Sequence, residues 1–187
     1  MGGLVNALLL GAVLAVAAMA DDDIAQKFVN DPKAGWAASG ACASSELFKD
    51  ETVQGGVAAR LAITAKSANP WDCGGHIALT KPLKAGDVLL LAFWAKTEKT
   101  PDGAAAIDVN ANIQNDSAPY NSLGSAMVHV EAQWKLHFVQ AVADRDYGAG
   151  AVGTQLQLAT AAQVIDLGPA FILDYRPGYD RTKMPKE

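Results

Sequence analysis

The chain has 187 residues, half of them hydrophobic and 19% charged, with a formal net charge of −5. That length fits one domain with a substantial buried core. An acidic chain without a Lys/Arg cluster speaks against nucleic acid and against polyanionic glycans, and leaves neutral ligands in play.

In chain order, Met1–Ala20 carries an apolar run from Ala7 to Ala18, then Ala18-Met19-Ala20 before three aspartates. This reads as a signal peptide (1–20) cut after Ala20, which places the protein outside the cytoplasm, secreted or periplasmic. No Lys or Arg precedes the run, so the alternative is an uncleaved anchor, although the run is shorter than the ~20 residues a span needs. Residues 21–35 form a leader, either a short helix capped by aspartates or a mobile arm, ending in the Asn30–Gly35 turn before Trp36.

Cys42 and Cys73 are the only cysteines. In an exported protein an even count invites a disulfide, worth roughly 3–4 kcal/mol for a loop of this size. The alternative is two unpaired thiols; the spacing suits neither zinc nor a CxxC pair. Gly55-Gly56 then leads into the strand VAARLAITA, and Gly74-Gly75 into the short strand HIALT. Trp71, in the loop Asn69-Pro70-Trp71-Asp72 between them, either faces solvent at the rim or plugs the end of the core.

Pro82–Thr97 (PLKAGDVLLLAFWAKT) has a punctuated start and an apolar run from Val88 to Ala95 with no polar face. Such a run predicts a central strand covered on both sides. Glu98–Gly103 is a loop, broken by Pro101 and Asp102-Gly103.

Ala106–Gln114 alternates. Ile107, Val109, Ala111 and Ile113 make one face; Asp108, Asn110, Asn112 and Gln114 make the other. Asn and Asp are disfavoured in strands, so four outward positions of this kind stand out. Gly153–Ala159 repeats the pattern, with Gln155 and Gln157 outward and Leu156 and Leu158 inward. Amides both donate and accept, as sugar hydroxyls do. Two such rows on one sheet would form a polar floor for a glycan; an ordinary solvated face is the other reading. Tyr120, in the polar loop Asn115–Gly124, is placed to be an aromatic wall beside it. Trp94 is out of phase with Leu91 and Phe93 and is either core or a second aromatic contact on the amide face.

The turn and strand ending in Phe93-Trp94-Ala95-Lys96, the Gln133-Trp134-Lys135 stretch with its alternating continuation LHFVQAV, and QVIDLGPAFIL (163–173) together resemble carbohydrate-binding modules of the family 4 and family 9 type. The resemblance covers roughly Trp36–Asp174. It implies an all-β fold, a two-sheet antiparallel β-sandwich of galactose-binding-domain-like jelly-roll form, with residues 36–174 as the module and 175–187 as a charged tail. Family members share a structural calcium ion between the opening segment and the last strand. Here the opening run is missing and Leu167-Gly168-Pro169 replaces the acidic pair, so calcium is disfavoured even though Asp166 and Asp174 could contribute oxygens. No other cofactor is expected. A catalytic domain follows this module in some relatives, so a glycoside hydrolase on a separate chain is an expected partner.

Motifs for chemistry are sparse. His76, His129 and His137 lack metal-ligand spacing, and no G-x-S-x-G elbow occurs. Gly148–Gly153 matches G-x-G-x-x-G by letter but lacks the strand before it and the helix after it. The expectation is therefore a non-enzymatic binder of a neutral, xylan- or glucan-like poly- or oligosaccharide. Its site would be Trp94, Asp108, Asn110, Asn112, Gln114, Tyr120, Gln155 and Gln157. The alternatives are a small jelly-roll glycan-cleaving enzyme using Asp108, Asp116 and Glu131 across a cleft, or a structural envelope protein.

Overall fold

The computed structural model describes residues 21–186; the stretch read as a signal peptide lies outside them. A short helix α1 (Asp21–Lys27) precedes ten strands. These are β1 (Ala37–Ser39), β2 (Ala43–Lys49), β3 (Val57–Ile63), β4 (Gly74–Ala78), β5 (Asp87–Lys99), β6 (Ala106–Asn115), β7 (Ser122–Glu131), β8 (Lys135–Val142), β9 (Val152–Gln157) and β10 (Gln163–Pro177). They form two antiparallel five-stranded sheets, ordered β2-β3-β10-β5-β8 (the back sheet) and β1-β4-β9-β6-β7 (the front sheet). The result is the expected β-sandwich of jelly-roll form.

The alternation in the sequence decides which side chains fill the space between the sheets. From β6, Ile107, Val109, Ala111 and Ile113 face inward, and they meet Leu89, Leu91, Phe93 and Ala95 of β5 in one buried cluster. Burying side chains of this size contributes roughly 1.5–3 kcal/mol each. The double-sided apolarity of β5 also has its reason here. It lies between β10 and β8, and Val88 and Leu90 on its other side sit under a second cluster with Leu173 and Met184, joined by Ile24 and Phe28 of the N-terminal segment. The segments read from sequence as a leader (21–35) and a tail (175–187) thus both contribute to a cover over the back sheet, through Ile24 and Phe28 and through Tyr175, Tyr179 and Met184. A short 3-10 turn at Arg181–Lys183 brings Met184 into place.

β10 changes register between Leu167 and Ala170. At Gly168 a Cβ would lie 2.7 Å from Val53 and 2.9 Å from the Cβ of Trp94, so only glycine fits beneath the 50–56 loop. The Gly168 carbonyl accepts a hydrogen bond from the buried Trp36 indole at 3.0 Å. Gly148–Gly150 is a turn that leads straight into β9, a strand, so the dinucleotide-like pattern has no helix behind it.

Candidate functional site

The outer face of the front sheet is built from cross-strand rungs, two of which run through all five strands. Register alone puts Ala37, His76, Gln155, Asn112 and Ser125 in one rung, and Ser39, Gly74, Gln157, Asn110 and Met127 in the next. On the other side of the first, Ala78, Gly153, Gln114 and Ser122 form a third. The two amide rows expected from sequence therefore lie side by side on neighbouring strands.

An open cleft of about 730 Å³ crosses this face. Its floor is Ser39, His76, Gln114, Gln155 and Gln157; its walls are Trp71 with Asp72 on one side and Asp116, Pro119 and Tyr120 from the β6–β7 loop on another. Trp71 and Tyr120 are each 57% exposed, among the few large apolar side chains left in solvent. Tyr120 also has a left-handed backbone (φ 56°), which costs a non-glycine residue about 1 kcal/mol. An aromatic ring held at such a position and left exposed is the kind of outlier that function explains better than folding does.

Local chemistry fixes the Trp71 wall. Pro70–Asp72 is a 3-10 turn, and the Asp72 carboxylate accepts from the Ser67 hydroxyl (2.6 Å) and the Asn69 backbone N–H (2.9 Å). These two bonds, the hydroxyl's first, hold its pKa below the ordinary carboxylate range. Next in sequence, Cys73 is joined to Cys42 with Cα atoms 5.8 Å apart, which ties this turn to the β1–β2 corner. The cleft lining contains two carboxylates and no Lys or Arg.

Several floor amides are already engaged. Gln155 Nε2 donates to Ser39 Oγ at 3.0 Å, and Asn110 Nδ2 donates to Gln157 Oε1 at 3.2 Å. Ser39 Oγ also lies 3.4 Å from Gln155 Oε1, so Gln155 is held to Ser39 at both ends of its amide, whereas Gln157 is engaged through Oε1. Gln114 makes no side-chain hydrogen bond among the described residues, which leaves it free to contact a ligand.

Of the residues expected from sequence, Gln114, Tyr120, Gln155 and Gln157 line the cleft. Asn110 adjoins it through Gln157. Asn112 shares their face but is buried (5% exposed) and accepts from Ser122 Oγ, so it is a support beneath the floor rather than an exposed contact. Asp108 is exposed farther along the face and is paired with His129 at 2.8 Å. Trp94 is a correction. It belongs to the back sheet, where its indole N–H donates to Gln54 Oε1 at 3.1 Å, so it cannot share a face with the amides. The apolar run around it could not show which sheet it joined. Ser39, Gly40, Trp71, Asp72, His76, Asp116 and Pro119 are the lining residues absent from the expected binding set. Trp71 had a visible signal, flanked by Pro and Asp in a loop; His76 and Asp116 are 40 residues apart, with no motif to link them.

The carboxylates of the enzyme alternative are dispersed. Asp116 is bonded to His76 in the cleft, whereas Asp108 and Glu131 sit at the opposite end of the face. Nor do the two aspartates considered for calcium fit one site. Asp166 is fully buried and held by Arg60 and Lys96, and Asp174 lies eight positions on, against Arg176.

No protein-family model matches the sequence, and no curated protein sequence matches it. Solved structures do. A CBM4 structure aligns with a TM-score of 0.56 at 17% identity, over 75% of this chain and 94% of that one. The CBM22-1 xylan-binding domain of Paenibacillus barcinonensis Xyn10C aligns with a TM-score of 0.56 at 16% identity, over 81% and 93%. The C-terminal family 22 carbohydrate-binding module of Clostridium thermocellum Xyn10B, examined for the role of its cleft residues in ligand binding, aligns at 0.52 and 13%, over 82% and 94%. At these identities the likeness is one of fold: the sandwich has the architecture of carbohydrate-binding modules, family 4 among them.

Proposed function

We propose that this protein is a non-catalytic binder of a neutral poly- or oligosaccharide of the xylan or glucan type, acting outside the cytoplasm. The observation that carries the reading is the front-sheet cleft, in which exposed Trp71 and Tyr120 stand over a floor of Gln114, Gln155 and Gln157. Aromatic rings pack on the C–H faces of sugars, and amides pair with hydroxyls that both donate and accept. The absence of Lys and Arg from the lining favours a ligand without carboxylate or sulfate groups. The xylan-binding neighbour has the same fold, and another neighbour joins a CBM22-1 to a GH10 module with xylohexaose bound. Both support this ligand class, and the second supports a glycoside hydrolase as a partner. Among the described residues no helix is long and apolar enough to cross a membrane.

Calorimetric titration with xylohexaose and cellohexaose, alongside a reducing-sugar assay on xylan and β-glucan, tests the reading. Saturable binding with no release of reducing ends is expected. Release of reducing ends would favour the cleaving enzyme, and no binding to any neutral glycan would leave the structural alternative.

A further inference from the structure

We infer that His76, Asp116 and Gly153 form a latch that sets the Tyr120 wall, so that His76 and Asp116 are positioning residues for the cleft. What the latch serves rests on the carbohydrate reading above; the latch itself rests on geometry.

His76 is on β4, and Asp116 is the first residue beyond β6. The strand between them is β9. Their side chains meet above it, with His76 Nε2 2.8 Å from Asp116 Oδ1. Gly153 lies directly below. A Cβ there would be 2.6 Å from His76 Nε2 and 3.2 Å from Asp116 Oδ1. The hydrogen bond occupies the space that any side chain at 153 would need.

Asp116 is also fixed by its backbone N–H, which donates to the Ala151 carbonyl at 3.0 Å. The loop beyond it is tied back to the end of β6 by Asn115 N–H to Asn121 O (2.9 Å) and closes on itself through Tyr120 N–H to Ser117 O (2.8 Å). Among the described residues, the bond to His76 is the one side-chain hydrogen bond that segment 116–121 makes to the strands beneath it. With the backbone bonds holding only the two ends of the loop, this side-chain bond is what sets its tilt, and with it the Tyr120 ring. Stacking on a sugar needs the ring at contact distance, so a freed loop gives up that contact.

The test uses the full chain and two readouts, amide hydrogen exchange without ligand and titration with xylohexaose and cellohexaose. In Gly153→Ala the new methyl meets the tip of the imidazole at 2.6 Å and the Ile77 carbonyl at 3.2 Å. The imidazole can rotate away and break the bond, while the carbonyl need give by only a few tenths of an ångström for the strand to stay paired. The Tyr120 and Asp116 amides should then exchange at least about tenfold faster, with Ile113 and Leu156 unchanged. Kd for the oligosaccharide that the wild type binds should rise about tenfold. His76→Ala and Asp116→Ala should do the same and carry the test if Gly153→Ala does not fold. Asp116→Asn keeps an acceptor for His76 and should restore slow exchange. Unchanged exchange in all three disruptive variants overturns the latch. Faster exchange with an unchanged Kd overturns its positioning role. If the wild type binds neither sugar while exchange responds as stated, the latch stands and the carbohydrate reading falls.

Discussion

Arg60 and Asp166 face each other across β3 and β10 in a two-point contact, Nε to Oδ1 at 2.8 Å and Nη2 to Oδ2 at 2.9 Å, with the carboxylate fully buried. The paired geometry raises the Arg60 pKa and leaves Asp166 with one other cation, Lys96 at 3.6 Å. Removing one partner of a buried pair leaves an uncompensated charge. Arg60→Ala should lower unfolding free energy by about 3 kcal/mol in a urea titration. Glycan affinity should not move, since the pair is on the back sheet. A loss below about 1 kcal/mol would show that Lys96 alone satisfies the carboxylate.

Trp71→Ala and Tyr120→Ala should separate binding from folding. Both rings are more than half exposed, so stability should change by about 0.5 kcal/mol, whereas affinity should fall by about 1 kcal/mol or more through lost stacking. Trp94→Ala should do the reverse, because it packs over Gly168 and bonds Gln54 on the other sheet. Weakened glycan binding in Trp94→Ala at constant stability would contradict the placement of the site.

Asp174 is a buried carboxyl whose pKa is raised, first by burial and then by the charge of Asp87 nearby. A raised folded pKa means the fold favours the protonated form. The associated stability is present below the unfolded carboxylate pKa and is lost as pH rises through the folded value. At neutral pH the ionised Asp174 therefore works against folding. Asp174→Asn keeps the acceptor for the Arg176 N–H at 2.7 Å and places a donor beside the Asp87 carboxylate. In exchange it gives up the Oδ2 contact with Arg176 Nη1 at 3.0 Å, whose guanidinium is two-thirds exposed and worth little as a partner. Its melting temperature at pH 7 should exceed that of the wild type, with the gain shrinking toward pH 4. A variant that melts lower at pH 7 would refute this.

The Cys42–Cys73 bond ends two residues from Trp71, and the Cys73 carbonyl accepts from Leu158 N–H just past β9. Its reduction should affect the cleft as well as the fold. Intact protein should be two hydrogens lighter than the dithiol by mass spectrometry. The Cys42→Ala/Cys73→Ala variant should lose roughly 2–4 kcal/mol of stability and bind glycan several-fold more weakly while still folded. Two alkylatable thiols in native protein would rule out the bond.

How much of this was legible in the sequence depended on whether a position's fate was local. The alternation of β6 was enough to place Gln114 on the outer face and Ile113 in the core, because a strand's period is fixed by its backbone. Gln155 and Gln157 followed for the same reason. Trp94 failed because β5 is covered on both sides, and a strand apolar on both faces carries no phase to read. The burial of Asn112 depends on a neighbour, Ser122, whose position is set by a register shift between Ile113 and Gln114. The His76–Asp116 bond needs three strands to be in place before it exists. Likewise Ile24 and Met184, far apart in sequence, share a cluster, so the segments around them, read as leader and tail, belong to the fold.

That shared cluster gives the molecule a polarity. Helix α1 and the segment around Met184 both lie on the back sheet, with Pro185 held by Gln140 of β8, while the cleft opens from the front sheet. Any tether, support or neighbouring domain joined at Asp21 or beyond Lys186 would hold the sandwich from behind, leaving the Trp71 and Tyr120 side turned outward.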